Sequence, residues 1–156
     1  MSRKVHTDFL KSSKEISAAL HNALSECGPL AKQEPNVQPL STVMCRTIAG
    51  QQLSVQAART IWNRVVADSG TTPMVKYLTT ATPSRLRACG LSRAKGRSMK
   101  EIATAADSGR LEQDDLKRLS HHLRSQRLTE IWGVGQWTAD MIGIFYFRDR
   151  DVWPES

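Results

Sequence analysis

The chain has 156 residues, 22 of them Lys or Arg against 15 Asp or Glu, for a formal charge of +7. That length suits one domain and can bury a core without disulfide or metal staples. With 40% hydrophobic and 24% charged residues, the composition is globular, which excludes a disordered, collagenous or membrane-spanning chain. No apolar run reaches the roughly 18 residues a transmembrane helix needs. The positive balance suits a polyanionic partner, most simply nucleic acid. Three cysteines, Cys27, Cys45 and Cys89, are odd in number and far apart. Neither a disulfide framework nor a cysteine-held zinc or iron–sulfur site is therefore expected. The start, Met1-Ser2-Arg3-Lys4-Val5-His6, lacks the apolar stretch of a signal peptide. The expected compartment is the reducing cell interior: cytoplasm or nucleoid, or the nucleus in a eukaryote.

Helical periodicity runs almost throughout. Ile16, Leu20, Ala23, Leu24 and Cys27 recur at three- and four-residue steps and predict a first helix, stopped by Gly28-Pro29. A loop with Pro35 and Pro39 follows. Leu40, Val43, Met44, Thr47 and Ile48 form the apolar face of a second helix that breaks at Gly50-Gln51-Gln52-Leu53. Ser54 reads as the N-cap of a third, with Ala58, Ile61, Trp62, Val65 and Val66 inward and Ser69-Gly70 at its end. A short helix covers about Met74 to Thr80. Thr82-Pro83 starts another, closed by Gly90. Ser92 caps a helix with Met99, Ile102, Ala103 and Ala106 on its apolar side, ended by Ser108-Gly109. Asp114 starts a brief helix to Leu119. A helix through Leu123, Leu128 and Ile131 leads into Trp132-Gly133-Val134-Gly135, and a last one runs from Gln136 to about Phe147. No stretch alternates like a strand, so the fold class is all-α, with residues 1–156 read as a single helical domain.

The stretch Leu128 to Asp140 carries the most information. Two helices meet at a turn whose Gly133 and Gly135 are read as places too tight for side chains. The second helix starts immediately after the turn, so its free N–H groups suit an anion such as a phosphate. Standing alone, a Gly-x-Gly is also just a turn between packed helices. Charge placement adds to the first reading. Between Ser84 and Lys100 stand Arg85, Arg87, Arg93, Lys95, Arg97 and Lys100 with no acid. Between Leu116 and Thr129 stand Lys117, Arg118, Arg124 and Arg127 with His121 and His122, again with no acid. Such runs suit a phosphate backbone, although a basic run can equally be a solvated helix face.

The pattern Leu-x-x-Ile-x-Gly-Val-Gly-x-Trp-Thr-Ala-Asp resembles the helix-hairpin-helix motif (residues 128–147) of the HhH-GPD DNA glycosylase superfamily. Three further segments are similar to its 3-methyladenine DNA glycosylase II (AlkA-like) branch: Ile48-Ala49-Gly50-Gln51-Gln52-Leu53-Ser54, Gly90-Leu91-Ser92-x-x-Lys95, and Arg150-Asp151-Val152-Trp153-Pro154-Glu155. The resemblance covers roughly Leu40 to Ser156 in order.

What the resemblance implies is base excision from double-stranded DNA containing alkylated bases. A damaged nucleotide is flipped into a pocket and its N-glycosidic bond is hydrolysed. Trp137 matches the pocket aromatic, suited to a flat cationic base; its alternative is a core position. Bifunctional members carry a nucleophilic lysine there, so a tryptophan implies a monofunctional enzyme without lyase activity. Trp132 and Trp153 are weaker pocket candidates, and Trp62 reads as core. Gln52, with Leu53 beside it, matches the side chain pushed into the gap left by the flipped base. Gly133, Val134, Gly135 and Thr138 match the phosphate-binding hairpin, and Arg93 and Lys95 are assigned to DNA contact. The carbonyls of Thr129, Ile131 and Val134 match those that hold a monovalent cation, K⁺ or Na⁺. No other cofactor and no iron–sulfur cluster is implied.

By the same register, the catalytic aspartate is expected directly after Ser156. The resemblance thus implies a glycosylase fold incomplete at its C-terminus and a chain that, alone, lacks this carboxylate; Asp140, Asp149, Asp151 and Glu155 are poor substitutes. It also implies that further helices, or a partner chain, cover apolar residues of Ile16–Leu24 and Met141–Phe147. A non-catalytic DNA-binding module and a helical protein-interaction domain are the alternative readings.

Overall fold

A computed structural model describes residues 3–29, 36–149 and 151–154, and these contain helices and connecting turns without a strand. Met1, Ser2, Pro35, Arg150, Glu155 and Ser156, invoked above, lie outside the described residues. No described helix is long and apolar enough to cross a membrane. The chain divides into two compact units, residues 1–36 and 37–156.

The first unit holds α1 (Arg3–Ile16) and α2 (Ala18–Cys27). The sequence predicts one helix, carried by Ile16, Leu20, Ala23, Leu24 and Cys27, and does not foresee α1. The structure instead interrupts it at Ser17, whose backbone is extended (φ −164°) and whose hydroxyl accepts from Leu20 N. A serine side chain that satisfies a helix-start amide competes with helix continuation, and here it wins. His21 Nδ1 stands 3.1 Å from Ser13 Oγ and 3.2 Å from the Leu10 carbonyl, tying α2 to α1. Ile16 and Leu20 are exposed, as expected for this face.

The second unit holds α3 (Leu40–Gly50), α4 (Val55–Ser69), α5 (Met74–Thr80), α6 (Pro83–Ala88), α7 (Arg93–Asp107), α8 (Gln113–Lys117), α9 (His121–Thr129) and α10 (Gln136–Ile142). A π-helical turn, Gly143–Phe147, follows. Local chemistry sets most of the starts. The hydroxyls of Ser54, Thr82, Ser92 and Ser120 accept from the amides of Ala57, Arg85, Lys95 and Leu123, each worth roughly 1 kcal/mol. α3 packs on α4, α7 and α10, and α7 packs on α5 and α6. Met44, Ile48, Leu78, Met99, Ile102 and Leu128 are fully buried among them. The i, i+4 spacing of Leu40, Met44 and Ile48 is what turns one side of α3 into this core. All three cysteines are free thiols.

Two expectations are corrected here. Val66 was placed inward, yet it is 44% exposed while Val65 is buried. At about 100° per residue, Val65 lies roughly 40° from Ile61 around the helix axis, whereas Val66 lies roughly 140° from it, past half-buried Trp62 and toward solvent. Met141–Phe147 was expected to need an external cover, but Ile142, Gly143 and Tyr146 are buried within this unit. Tyr146 OH donates to the Gln38 carbonyl (3.0 Å) and bonds Gln113 Oε1 (2.9 Å). Phe145 alone of that segment is strongly exposed, at 56%.

Candidate nucleic-acid interface

The hairpin between α9 and α10 is built by two main-chain bonds, Ile131 N to Leu128 O (3.2 Å) and Val134 N to Ile131 O (3.0 Å). Gly133 has φ +83°, and a Cβ there would overlap Ser98 Oγ and come within 2.8 Å of Ser98 Cβ on α7. Both backbone conformation and close approach therefore require glycine at 133. Gly135 differs from the sequence expectation: a Cβ on it would meet nothing within 4 Å. Among the described residues nothing demands that glycine. It caps α10 without a side-chain bond. Among the described residues the amides of 135–138 have no main-chain acceptor, the first such bond being Ala139 N to Gly135 O. Four donors at one helix start give a place for an anion's oxygens.

Beside the hairpin lies the turn that follows α3. Gln52 has φ +57°, the left-handed region, and is exposed, as is Leu53. A non-glycine residue held there costs of order 1–3 kcal/mol and points to a turn that neighbours over-determine. Two contacts do so. Lys95 Nζ donates to the carbonyls of Ala49 (3.0 Å) and Gln51 (2.7 Å) at the end of α3. Gln51 Nε2 donates to Thr138 Oγ1 in the first turn of α10 (2.8 Å). Partial burial pulls the Lys95 ammonium below the usual lysine range. Replacing Lys95 by Met should cost about 1.5 kcal/mol, the size of a hydrogen bond to a charged group. The melting temperature and circular dichroism of the variant would show it; an unchanged melt would mean the turn holds itself.

The residues singled out in the sequence thus separate into two sets. Gln52, Leu53, Arg93 and Trp137 face solvent, with Trp137 44% exposed and so not a core residue. Trp132 is also open, Trp153 fully so, and Trp62 packs at the edge of the core. Lys95, Val134 and Thr138 turn inward. Thr138 is 1% exposed and its hydroxyl accepts from Gln51, so its side chain is committed inside the protein. Thr129, Ile131 and Val134 cluster at the hairpin. Among the described residues the Ile131 carbonyl accepts from Val134, whereas no main-chain donor reaches those of Thr129 and Val134. Neutral oxygens left open in this way suit a weakly held cation.

One polar network escaped sequence reasoning. His121 Nε2 lies 3.0 Å from Asp140 Oδ1, and Nδ1 lies 3.0 Å from Asp149 Oδ2. Gln136 Nε2 donates to the same Asp140 oxygen at 2.7 Å. Buried Arg124 donates from its Nη1 to Asp149 Oδ2 (3.1 Å) and, from Nε and its second Nη, to the carbonyls of Leu116 (3.2 Å) and Leu119 (3.0 Å). Its guanidinium also lies 4.0 Å from the centroid of Phe147. Gly143 gives the network room, since a Cβ there would stand 2.7 Å from His121 Nδ1 and 2.8 Å from Asp149 Oδ2. The network straps the chain after the π-helical turn onto α9. Asp140 and Asp149 are therefore both committed to internal partners. No group of three or more His, Cys, Asp or Glu able to hold a metal ion occurs among the described residues.

Residues 45–144 match the family described as HhH-GPD superfamily base excision DNA repair protein. The chain belongs to this superfamily. Its helical fold is the superfamily's as well. A solved structure of 3-methyladenine DNA glycosylase (Mag1) from Schizosaccharomyces pombe, in complex with abasic DNA, superposes with a TM-score of 0.80 at 27% identity. That match covers 99% of this chain and 74% of that one. A DNA-3-methyladenine glycosidase from Bacillus halodurans gives a TM-score of 0.73 at 26% identity, over 95% and 66% of the two chains. In sequence, DNA-3-methyladenine glycosylase 1 of S. pombe is 35% identical over 128 residues, which is 80% of this chain and 54% of that protein. The chain thus spans about half the length of this curated relative. The alkylbase DNA glycosidase-like protein mag2 of the same yeast is 24% identical, over 95% of this chain and 73% of its own.

Proposed function

We propose that this HhH-GPD chain holds duplex DNA and flips alkylated purines of the 3-methyladenine type, as part of a monofunctional glycosylase that hydrolyses the N-glycosidic bond. The observation that carries the reading is the 2.8 Å bond from Gln51 to Thr138. It locks the Gln52 turn to the start of α10, so the side chain that would enter the gap, the amides that would take a phosphate and the aromatic that would meet the base stand together. The names of the relatives, and the abasic DNA bound to one of them, support the same substrate class.

In this reading the amides of 135–138 take phosphate oxygens and fix the register of the duplex without reading sequence. Gln52, held left-handed by Lys95, fills the vacated stack. Trp137 offers a flat, electron-rich face to a cationic base. Such a base is already a good leaving group, and the remaining demand is a carboxylate to stabilise the oxocarbenium charge and orient water. Asp140 and Asp149 do not meet it, being bonded to His121, Arg124 and Gln136. The family register assigns that carboxylate to the position following Ser156. At the hairpin, K⁺ or Na⁺ would be held by the carbonyls of Thr129, Ile131 and Val134, and would supply positive charge toward a phosphate. In this reading the protein works inside the cell, where its DNA substrate is.

Gly135→Ala tests the hairpin. Its Cβ meets no protein atom, so the variant should melt like the parent. Against a phosphate it becomes an obstacle, and duplex affinity, read by fluorescence anisotropy, should fall about tenfold. Equal affinity in the two proteins would remove the hairpin from the interface.

A further inference from the structure

We propose that Arg97, laid on the indole of Trp132, is a second DNA-backbone contact at the shoulder of the hairpin, taking a phosphate through its guanidinium fork. The proposal rests on the DNA-binding reading above, and gives a specific contact to an arginine that so far counted only as one of a basic run and to a tryptophan that ranked only as a weaker pocket candidate.

The hairpin approaches α7 closely where Gly133 meets Ser98. Arg97 is the residue before Ser98, and Trp132 is the residue before Gly133. Their side chains meet on the outer side of this contact, with the Arg97 guanidinium carbon 4.0 Å from the Trp132 ring centroid. Both are open to solvent, Trp132 at 42%. Among the described residues no carboxylate lies within ion-pair distance of Arg97. Asp68 takes Arg85 and Asp149 takes Arg124, while among the described residues Arg97 is answered by the Trp132 ring.

That arrangement has a physical consequence. A free arginine loses rotamer freedom when it grips a phosphate. An arginine already laid on an indole has lost part of it, and its planar fork of N–H donors keeps the geometry that two oxygens of one phosphate accept. Arg93, one turn earlier on α7, is also exposed. Glu101, one turn on from Arg97 along α7, makes no ion pair with it among the described residues. A duplex phosphate is favoured over an acidic peptide because Trp132 stands in the same hairpin, three residues before the amides of 135–138, which have no main-chain acceptor among the described residues and offer the same chemistry.

The test is anisotropy titration of undamaged duplex DNA at several salt concentrations, using the 156-residue chain. Arg97→Met should weaken binding about fivefold and reduce the slope of log affinity against log salt by about one. Arg97→Lys should keep most of the slope while losing affinity, because the charge remains and the fork does not. Trp132→Leu should weaken binding about threefold with little change of slope, and should add nothing in the Arg97→Met background. Both sites are exposed, and thermal melts of each variant confirm folding. If Arg97→Met leaves affinity and slope unchanged while Gly135→Ala weakens binding, this inference fails and the hairpin reading stands. If the parent chain does not bind duplex DNA, the underlying reading fails. Additive effects of the Arg97 and Trp132 changes would overturn the preorganising role of the indole.

Discussion

Arg124→Met should be the most damaging polar substitution in the second unit, costing about 3 kcal/mol or more. Arg124 is buried and satisfies the Leu116 and Leu119 carbonyls as well as both oxygens of Asp149. Removing one member of a largely buried pair leaves the other charge uncompensated, which typically costs about 3–5 kcal/mol. Asp149 retains some solvent access, which argues for the lower end. For a domain of this size the melting temperature should drop by roughly 10 °C. Arg124→Met combined with Asp149→Asn should recover part of the loss, because the stranded charge disappears. A double variant no better than the single one would mean that the two carbonyls, rather than the ion pair, carry the cost.

Gly133→Ala should come close behind and should affect binding as well as stability. The added Cβ faces Ser98 Oγ and Cβ, and the residue must keep φ +83°. A left-handed alanine alone costs roughly 1–2 kcal/mol, and the steric overlap adds to it. Ser98→Gly removes the obstructing atoms while leaving φ unchanged. In a double-mutant cycle it should couple to Gly133→Ala by about 1 kcal/mol or more, with stability only partly restored. Zero coupling, measured by denaturant unfolding, would contradict a hairpin seated on α7. Gly135→Ala belongs to a different class, expected to leave the fold intact and to be felt only by DNA. The two glycines look alike in sequence and differ in what surrounds them.

That pair shows where the sequence was legible. Signals that act within one helical turn were read correctly, among them the caps at Ser54, Thr82-Pro83 and Ser92 and the ends at Ser69-Gly70 and Ser108-Gly109. They need no distant partner to work. The all-α class and the superfamily were legible because hairpin, Gln-Gln turn and Gly-Leu-Ser turn are local in sequence. Features decided by packing were not. Ser17 both ends one helix and caps the next, and periodicity ran straight through it. Lys95 has the same charge as its exposed neighbour Arg93, yet its amine turns onto the Gln51 carbonyl, 44 residues back in the chain. Thr138 matches the phosphate-binding hairpin by register, yet its side chain is buried and bonded to Gln51. The His121–Asp149 bond spans 28 residues. Its only local trace was His121 and Arg124 three apart on α9, which also fits a solvated basic face.

Chromatography of the bases released from methylated duplex DNA is the most direct test, using the full gene product that contains this chain. The account predicts free 3-methyladenine, released without nicking of the strand and sharply reduced by Trp137→Ala. No release of any alkylated base, or release coupled to strand cleavage, would contradict it.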